Sequence, residues 1–499
     1  MERSGGSSSV PTRKVAALHE NRVHQLVKKT TLLGAGPKMT EPEPAERSTS
    51  RPVDPPWHNA RVHDRHLRRN ASILVALAAI ASACGTSTAT LTPTSQLGAT
   101  PTSQPSATPT GSAGPSSPAS PTASESGDQA IYAGIEAQVE ELRELRLRSV
   151  VSPILLDEQG VRDWMTRAQA SVDHEAMAAQ SRLLAHLGLL PAGASLEQLM
   201  LDLNSGQAIG FYDVDTKQLY LLSQSGAVGP EEQLTFSHEF THALQDQNFG
   251  LDKLAIESAG QSDRDLARTA LPEGDATLAM TQWATAHMSV LDLLSVSISA
   301  GLGPQADQLT NAPAILREEL MFPYEEGLSF VEGIYSQGGW AAVDRLYSNP
   351  PDSTSQILHP ELYAKGVAPV ILTIPGVPSS LGAGWTLATQ DTMGELELRV
   401  WLEGEQPTAA EKAAADSAAS SWAGDRIGLY EGPNGQWAVV LRTVWLGDAG
   451  RDAFASAVGQ TLDGLSSPSV VCGDAIHADV IVASDPTILG SFATCQPPL

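Results

Sequence analysis

Cysteine is nearly absent from this chain, with three in 499 residues, at positions 84, 472 and 495. That scarcity excludes a disulfide-dense scaffold, and neither Cys472 nor Cys495 has the CxxC spacing of a metal knuckle. Basic residues are few as well: 31 Lys and Arg stand against 57 Asp and Glu, a formal charge of −26. Such a surface argues against nucleic acid and anionic lipid as partners and favours solubility outside a cell. A membrane-spanning run is missing where one would be sought. The mostly apolar stretch before Cys84, Ala71 to Ala83, has 13 residues, against about 20 for a comfortable span. Core-forming signal is also poor throughout the first quarter of the chain.

What that quarter does contain is an address. Arg65-His66-Leu67-Arg68-Arg69 precedes the apolar run, and small residues precede Cys84-Gly85, the order of a secretory signal. Cys84 directly after Ala81-Ser82-Ala83 resembles a bacterial lipobox, which implies a lipidated Cys84 as membrane anchor, with plain secretion as the alternative. Residues 1–62, with an internal Met39, receive no function. From Gly85 to Gly127 the chain is almost entirely Ser, Thr, Pro, Ala and Gly with Glu125 as its only charge, so it cannot offset its ordering entropy by burial. It reads as a tether. Residues 1–83 hold 13 basic and 7 acidic residues, leaving 18 against 50 beyond them, or −32. The expected layout is a leader over 1–83 with its signal at 65–83, a tether over 84–127, a catalytic domain over 128–375 and a C-terminal α+β unit over 376–499.

The chemistry lies in Thr235-Phe-Ser-His-Glu-Phe-Thr-His-Ala-Leu244. Residues four apart share a helix face, so His238 and His242 can address one ion, and Glu239 can act as general base beside them. No charge occupies positions 240, 241 or the flanks, as a helix buried beneath a site requires. Gly229-Pro230-Glu231-Glu232 marks the helix start and Asn248 and Gly250 its end. A zinc site of this type needs a third protein ligand and an open position. Glu273, in Leu271-Pro272-Glu273-Gly274-Asp275-Ala276-Thr277, is the favoured ligand. Asp275 is its competitor, or else a partner holding a histidine. Pro272 and its acidic neighbours read as a helix start, with an apolar helix following from Leu278 to Ser299.

With these residues the chain resembles the gluzincins, the metallopeptidase group that includes thermolysin and the zinc aminopeptidases. Gly210-Phe211-Tyr212-Asp213, Leu219-Tyr220-Leu221 and HEFTHALQDQ are similar also to bacterial secreted proteins of metallopeptidase type, over roughly residues 130–460. The resemblance implies Zn²⁺ as cofactor, a peptide or protein substrate, and an oxyanion donor downstream of the glutamate ligand. His359 is the expected donor, with Tyr324 and Tyr363 as rivals. One departure is Thr277, where thermolysin-like enzymes carry an aspartate four residues past the ligand.

The remaining signals concern the frame. Residues 131–149 and 157–189 read as helices, and Ile209–Leu222 as a hairpin turning at Asp213-Val214-Asp215. Those two acids serve the turn rather than calcium. Leu219–Leu222 is the expected edge strand for extended substrate. Residues 310–349 suggest two helices packed through small residues, and Asn434-Gly435 marks a second hairpin. Cys472 and Cys495 are expected to form a bridge. The fold expected is α+β, a mainly helical zincin-like domain with a short antiparallel sheet and a small C-terminal α+β unit. The function expected is zinc-dependent peptide-bond hydrolysis outside a bacterial membrane. The alternatives are a non-catalytic tethered binding lipoprotein with structural zinc, and a zinc amidase acting on cell-wall material. No oligomer interface is legible.

Overall fold

The computed structural model describes residues 123–169, 172–207, 209–222, 228–256, 258–302, 304–374 and 376–492. All lie in the unit Val62–Leu499, one of two into which the chain divides. The signal, Cys84, most of the tether and Cys495 lie outside the described residues. Among the described residues no helix is long and apolar enough to cross a membrane.

The chain is α+β, as its patterning implied. Helix α1 (Ala123–Arg143) starts inside the stretch read as tether. Strand β1 (Pro153–Leu156) and helices α2 (Glu158–Gln169), α3 (His174–His186) and α4 (Leu196–Gln207) follow. The hairpin is present as β2 (Gly210–Asp213) and β3 (Gln218–Leu222), paired antiparallel with Tyr212 opposite Leu219. Asp213 Oδ1 accepts from the N–H groups of Asp215 and Thr216, so that acid builds the turn. Leu219 and Leu221 point to one side and pack with Leu234, Phe236, Phe240 and Leu244 of α5 (Pro230–Phe249).

One expectation fails here. Strand β1 pairs parallel with β3, giving the order β1-β3-β2, so Leu219–Leu222 is central and has no open edge. The outer strands are β1 and β2. A parallel partner arriving from some 60 residues upstream leaves no mark on the local period.

Helix α5 begins as read. Gly229 is its N-cap, the Glu232 carboxylate accepts from the Gly229 N–H at 2.8 Å, and Gly250 at φ +78° ends it. Helix α6 runs from Ser262 to His287, so Pro272 lies in its interior and not at a start. An interior proline costs about 3 kcal/mol. Here Ala270 through Met280 are buried without a break, and packing on every side outweighs the lost bond. The apolar helix expected over 278–299 is interrupted. Met288 is extended, and Ser289 with Asp292 forms a reciprocal cap that restarts the chain as α7 (Val290–Leu302).

After α8 (Pro304–Asn311) come α9 (Ala314–Gly338) and α10 (Trp340–Leu346). The small-residue contact expected in this stretch joins α9 to α6 instead. A Cβ on Gly274 would sit 2.2 Å from the Gly327 carbonyl oxygen, and one on Gly327 would sit 2.5 Å from that of Ala270. The two helices cross backbone to backbone, which only glycine permits.

Beyond α11 (Thr354–Leu358), α12 (Pro360–Ala364) and α13 (Val377–Leu381) stands a five-stranded antiparallel sheet. Its strands are β4 (Thr386–Asp391), β5 (Trp422–Glu431), β6 (Trp437–Trp445), β7 (Ser469–Gly473) and β8 (His477–Ala483), in the order β4-β5-β6-β8-β7. Asn434 at φ +60° and Gly435 at φ +77° make the β5–β6 turn as read. Helices α14 (Gly394–Glu403), α15 (Ala409–Ala419) and α16 (Asp448–Asp463) cover the sheet, and α17 (Pro486–Leu489) follows it. One cluster holds Leu271 of α6, Phe330 of α9, Leu396 of α14 and Leu441 and Val480 of the sheet, so the core is continuous across residue 375.

Candidate metal centre

Helix α5 places His238 and His242 one turn apart, and the α6–α9 crossing presses Glu273 against them. The donor atoms converge. Nε2 of His238 lies 3.0 Å from Nε2 of His242, and Glu273 Oε2 lies 3.4 Å from the first and 3.6 Å from the second. Two metal bonds of about 2.1 Å at a tetrahedral angle separate their donors by roughly 3.4 Å, so this triangle has the size that one ion needs. Among the described residues it is the only such group of His, Cys, Asp and Glu, and it can hold a metal ion.

The three side chains and Glu239 are at most 2% exposed. Burial leaves some of their atoms short of partners: His238 Nδ1 makes no hydrogen bond, Glu273 Oε2 has only its long contacts to the two histidines, and Glu239 has only the Tyr212 backbone beside it. Orphaned polar atoms at this density are costly in an interior. A cation bound by two imidazoles and a carboxylate would remove part of that cost, so the donor set fits a metal.

The charges respond to one another. Burial drives Glu239 up to about 8, with His242 opposing the shift. Burial would also raise Glu273, but the two histidines outweigh it and hold the carboxyl at about 2. His242 is pulled down by burial, yet Glu273 and Glu239 outweigh that and keep the imidazole at about 9. His238 falls below its usual range, burial being the main cause.

The environment of Glu239 includes the open edge of β2. Leu222 N–H donates to Ile209 C=O at 2.7 Å, which makes residues 209, 211 and 213 the inward-bonded positions of β2. Tyr212 therefore turns its own N–H and C=O away from β3, and its backbone lies against Glu239. The Tyr212 hydroxyl donates to Asp246 at 2.9 Å, which fastens this edge to α5.

Asp275 is neither a ligand nor a histidine partner, contrary to expectation. Arg143, fully buried at the end of α1, donates to both its oxygens at 2.7 and 3.0 Å, and Tyr347 donates a third bond at 2.7 Å. The guanidinium also reaches Asp344 at 2.7 Å and lies 4.3 Å over the Trp340 ring. Both oxygens of Asp275 are thus engaged by Arg143 and Tyr347.

His359 stands where α11 meets α12, and its Nε2 is bonded to Glu395 at 2.7 Å, which raises its pKa. That ring nitrogen is committed to the C-terminal unit instead of to the histidine pair. Tyr363, on α12, donates to the Asn349 carbonyl at 2.6 Å. The rival that does reach the centre is Tyr324 of α9, three residues from the Gly327 crossing. Its ring centroid lies 6.3 Å from that of His238.

Sequence reasoning missed Gln245. Its Oε1 lies 2.8 Å from His242 Nδ1, and its Nε2 donates to the Pro272 carbonyl at 3.0 Å. The signal was available, because residue 245 lies three past His242 on the same helix face. Arg143 was missed as well, and no local signal marks a contact across 132 residues.

Comparison with known proteins adds little to this centre. A family model described as a domain of unknown function, DUF8575, matches residues 385–488, the sheet unit. No curated protein matches the chain. A crystal structure described as a candidate hydrolase with a novel fold, from Chloroflexus aurantiacus, is 17% identical and covers 49% of this chain and 92% of its own. Its TM-score is 0.30, and a superposition of that quality transfers no activity.

Proposed function

We propose that this chain is a zinc-dependent peptide-bond hydrolase working outside a bacterial membrane, held there through Cys84 and the tether. The observation that carries the reading is Glu239: a fully buried carboxyl with no side-chain partner and only the Tyr212 backbone against it, beside a His–His–Glu cluster of metal-binding size. His238, His242 and Glu273 would hold the ion. A bound zinc supplies Lewis acidity for a water and a substrate carbonyl. Glu239 removes a proton from the attacking water and returns it to the leaving amine. Tyr324 takes the oxyanion role expected of His359, since it is the rival lying against the histidines. The Tyr212 edge of β2 replaces Leu219–Leu222 as the strand along which an extended peptide pairs.

A second reading is favoured by one feature. Complete burial of the four side chains suits a structural ion in a tethered binding protein. Glu239 argues against it, because a structural site gains nothing from a second, unpaired carboxylate. Both are tested by stripping the full chain with chelator, reloading it with zinc and offering a peptide library. Glu239→Gln is expected to keep zinc and lose turnover by about 10³-fold or more, the upper range for a general base acting in two steps. A variant as active as the parent sinks the hydrolase reading. Zinc uptake without cleavage of any peptide by the parent supports the structural one.

A further inference from the structure

The short relay between His242 and Pro272 leaves no freedom in its hydrogen positions. The Pro272 carbonyl can only accept, so the Gln245 group facing it at 3.0 Å must be the NH₂. The amide oxygen then faces His242 Nδ1 at 2.8 Å, and an oxygen there can only accept. His242 Nδ1 must therefore carry a proton, which leaves Nε2 as the nitrogen with a lone pair for an ion. One backbone carbonyl decides the amide orientation, and the amide decides the imidazole tautomer.

The relay also has a mechanical consequence. Pro272 immediately precedes Glu273, so a single glutamine ties the ring of one ligand to the backbone that presents another. His238 has no equivalent, since its Nδ1 makes no hydrogen bond. The centre is thus braced on one side only, by a neutral amide.

We propose that Gln245 is a positioning residue: through Pro272 it fixes His242 as the Nδ1–H tautomer and locks the α5 ligand to the α6 ligand before an ion binds. This rests on the metal-centre reading above, and the test separates the two. Long-range ¹H–¹⁵N NMR on the metal-free full chain, labelled in histidine and held at alkaline pH where the imidazole is neutral, reads the tautomer without any ion. His242 is expected to be protonated at Nδ1 in the parent chain, and to lose that preference in Gln245→Met, which keeps the volume but accepts no such bond. Zinc affinity by competition with a chromophoric chelator is expected to fall about 10–100-fold in Gln245→Met. Gln245→Glu should weaken it too, because a carboxylate oxygen repels the Pro272 carbonyl. A residue with a merely structural role would lower the melting temperature and leave tautomer and affinity alone. An unprotonated Nδ1 in the parent, or unchanged zinc affinity in both variants, overturns the proposal. If instead the parent binds zinc no better than His238→Ala while His242 shows the Nδ1–H tautomer, the metal reading fails and the tautomer assignment stands.

Discussion

Helix α6 carries two buried acidic regions about three turns apart, and it disposes of their charge in opposite ways. At its N-terminus the acids cap helices. Asp391 accepts from the Ser262 N–H and hydroxyl, Asp263 from the Thr354 N–H and hydroxyl, and Asp425 from the N–H groups of Met393 and Gly394 and from Trp422 Nε1. Three helix starts, those of α6, α11 and α14, meet there, and each carboxylate takes N–H groups that would otherwise be orphaned. In the middle of the same helix Glu273 Oε2 has only long contacts to two imidazoles, and on α5 Glu239 has no side-chain donor. Density of carboxylates is the same signal in both places. Both regions keep oxygens without a hydrogen bond, Asp265 Oδ1 and Glu395 Oε2 in the first, but only the second sets a carboxylate beside two imidazoles, and among the described residues only it can hold a metal ion.

The comparison breaks hardest at Arg143. It neutralises Asp275, two residues past Glu273, at zero exposure of either side chain. Arg143→Met would leave that carboxylate charged, buried and short of two donors, and removing one partner of such a pair costs about 3–5 kcal/mol. Urea unfolding of the metal-free chain should register that loss. A change below about 1 kcal/mol would mean that Asp275 is neutralised in some other way.

A smaller pair of effects sharpens the contrast. Asp425→Ala orphans two backbone N–H groups at the start of α14 and an indole N–H, and should cost about 2 kcal/mol of stability with zinc affinity unchanged. Glu273→Gln should lose zinc affinity as well as metal-free stability, because the two buried histidines lose the carboxylate paired with them. Measuring both quantities on both variants separates a capping acid from a ligand. Similar profiles for the two would erase the distinction drawn here.

How far these regions were legible follows from where their information lies. Helix α5 was readable end to end, because Gly229-Pro230, the acidic first turn and the uncharged HExxH flanks are all local. Glu273 was found although its setting was misread: Pro272 looks like a start signal, and only the Gly274–Gly327 crossing, formed with a helix some 50 residues on, explains why α6 passes through it. Strand β3 was misplaced as an edge for the same reason, its parallel partner β1 being distant in sequence. Asp275 was misassigned because its acceptor sites are filled by Arg143 from 132 residues away. His359 drew attention as a histidine before proline, and its Glu395 partner lies on α14, beyond any local pattern.

The smallest expected effect concerns pH, and it assigns a sign to the capping region. Burial lifts Asp263 from 3.8 to about 8, outweighing its bonds from Thr354, and lifts Asp425 to about 6, outweighing those from Met393 and Gly394. A carboxyl whose pKa is raised on folding contributes fully below its unfolded value and loses that contribution as pH climbs through the folded one. Glu273 has the opposite sign, since its folded value near 2 makes its stabilising contribution complete above 4.5 and lost as pH falls toward 2. Between pH 5 and 6.5, below the range in which His242 begins to contribute, the capping acids set the slope among these groups. Stability of the metal-free chain should therefore fall with rising pH across that window, by no more than about 1.4 kcal/mol per pH unit for each group. Asp263→Asn keeps an oxygen for the Thr354 bonds and removes the titration. Urea midpoints taken from pH 5 to 8 should decline less steeply for that variant than for the parent. Parallel declines would place the proton uptake elsewhere and leave the N-terminal region of α6 with its charges already settled at pH 5.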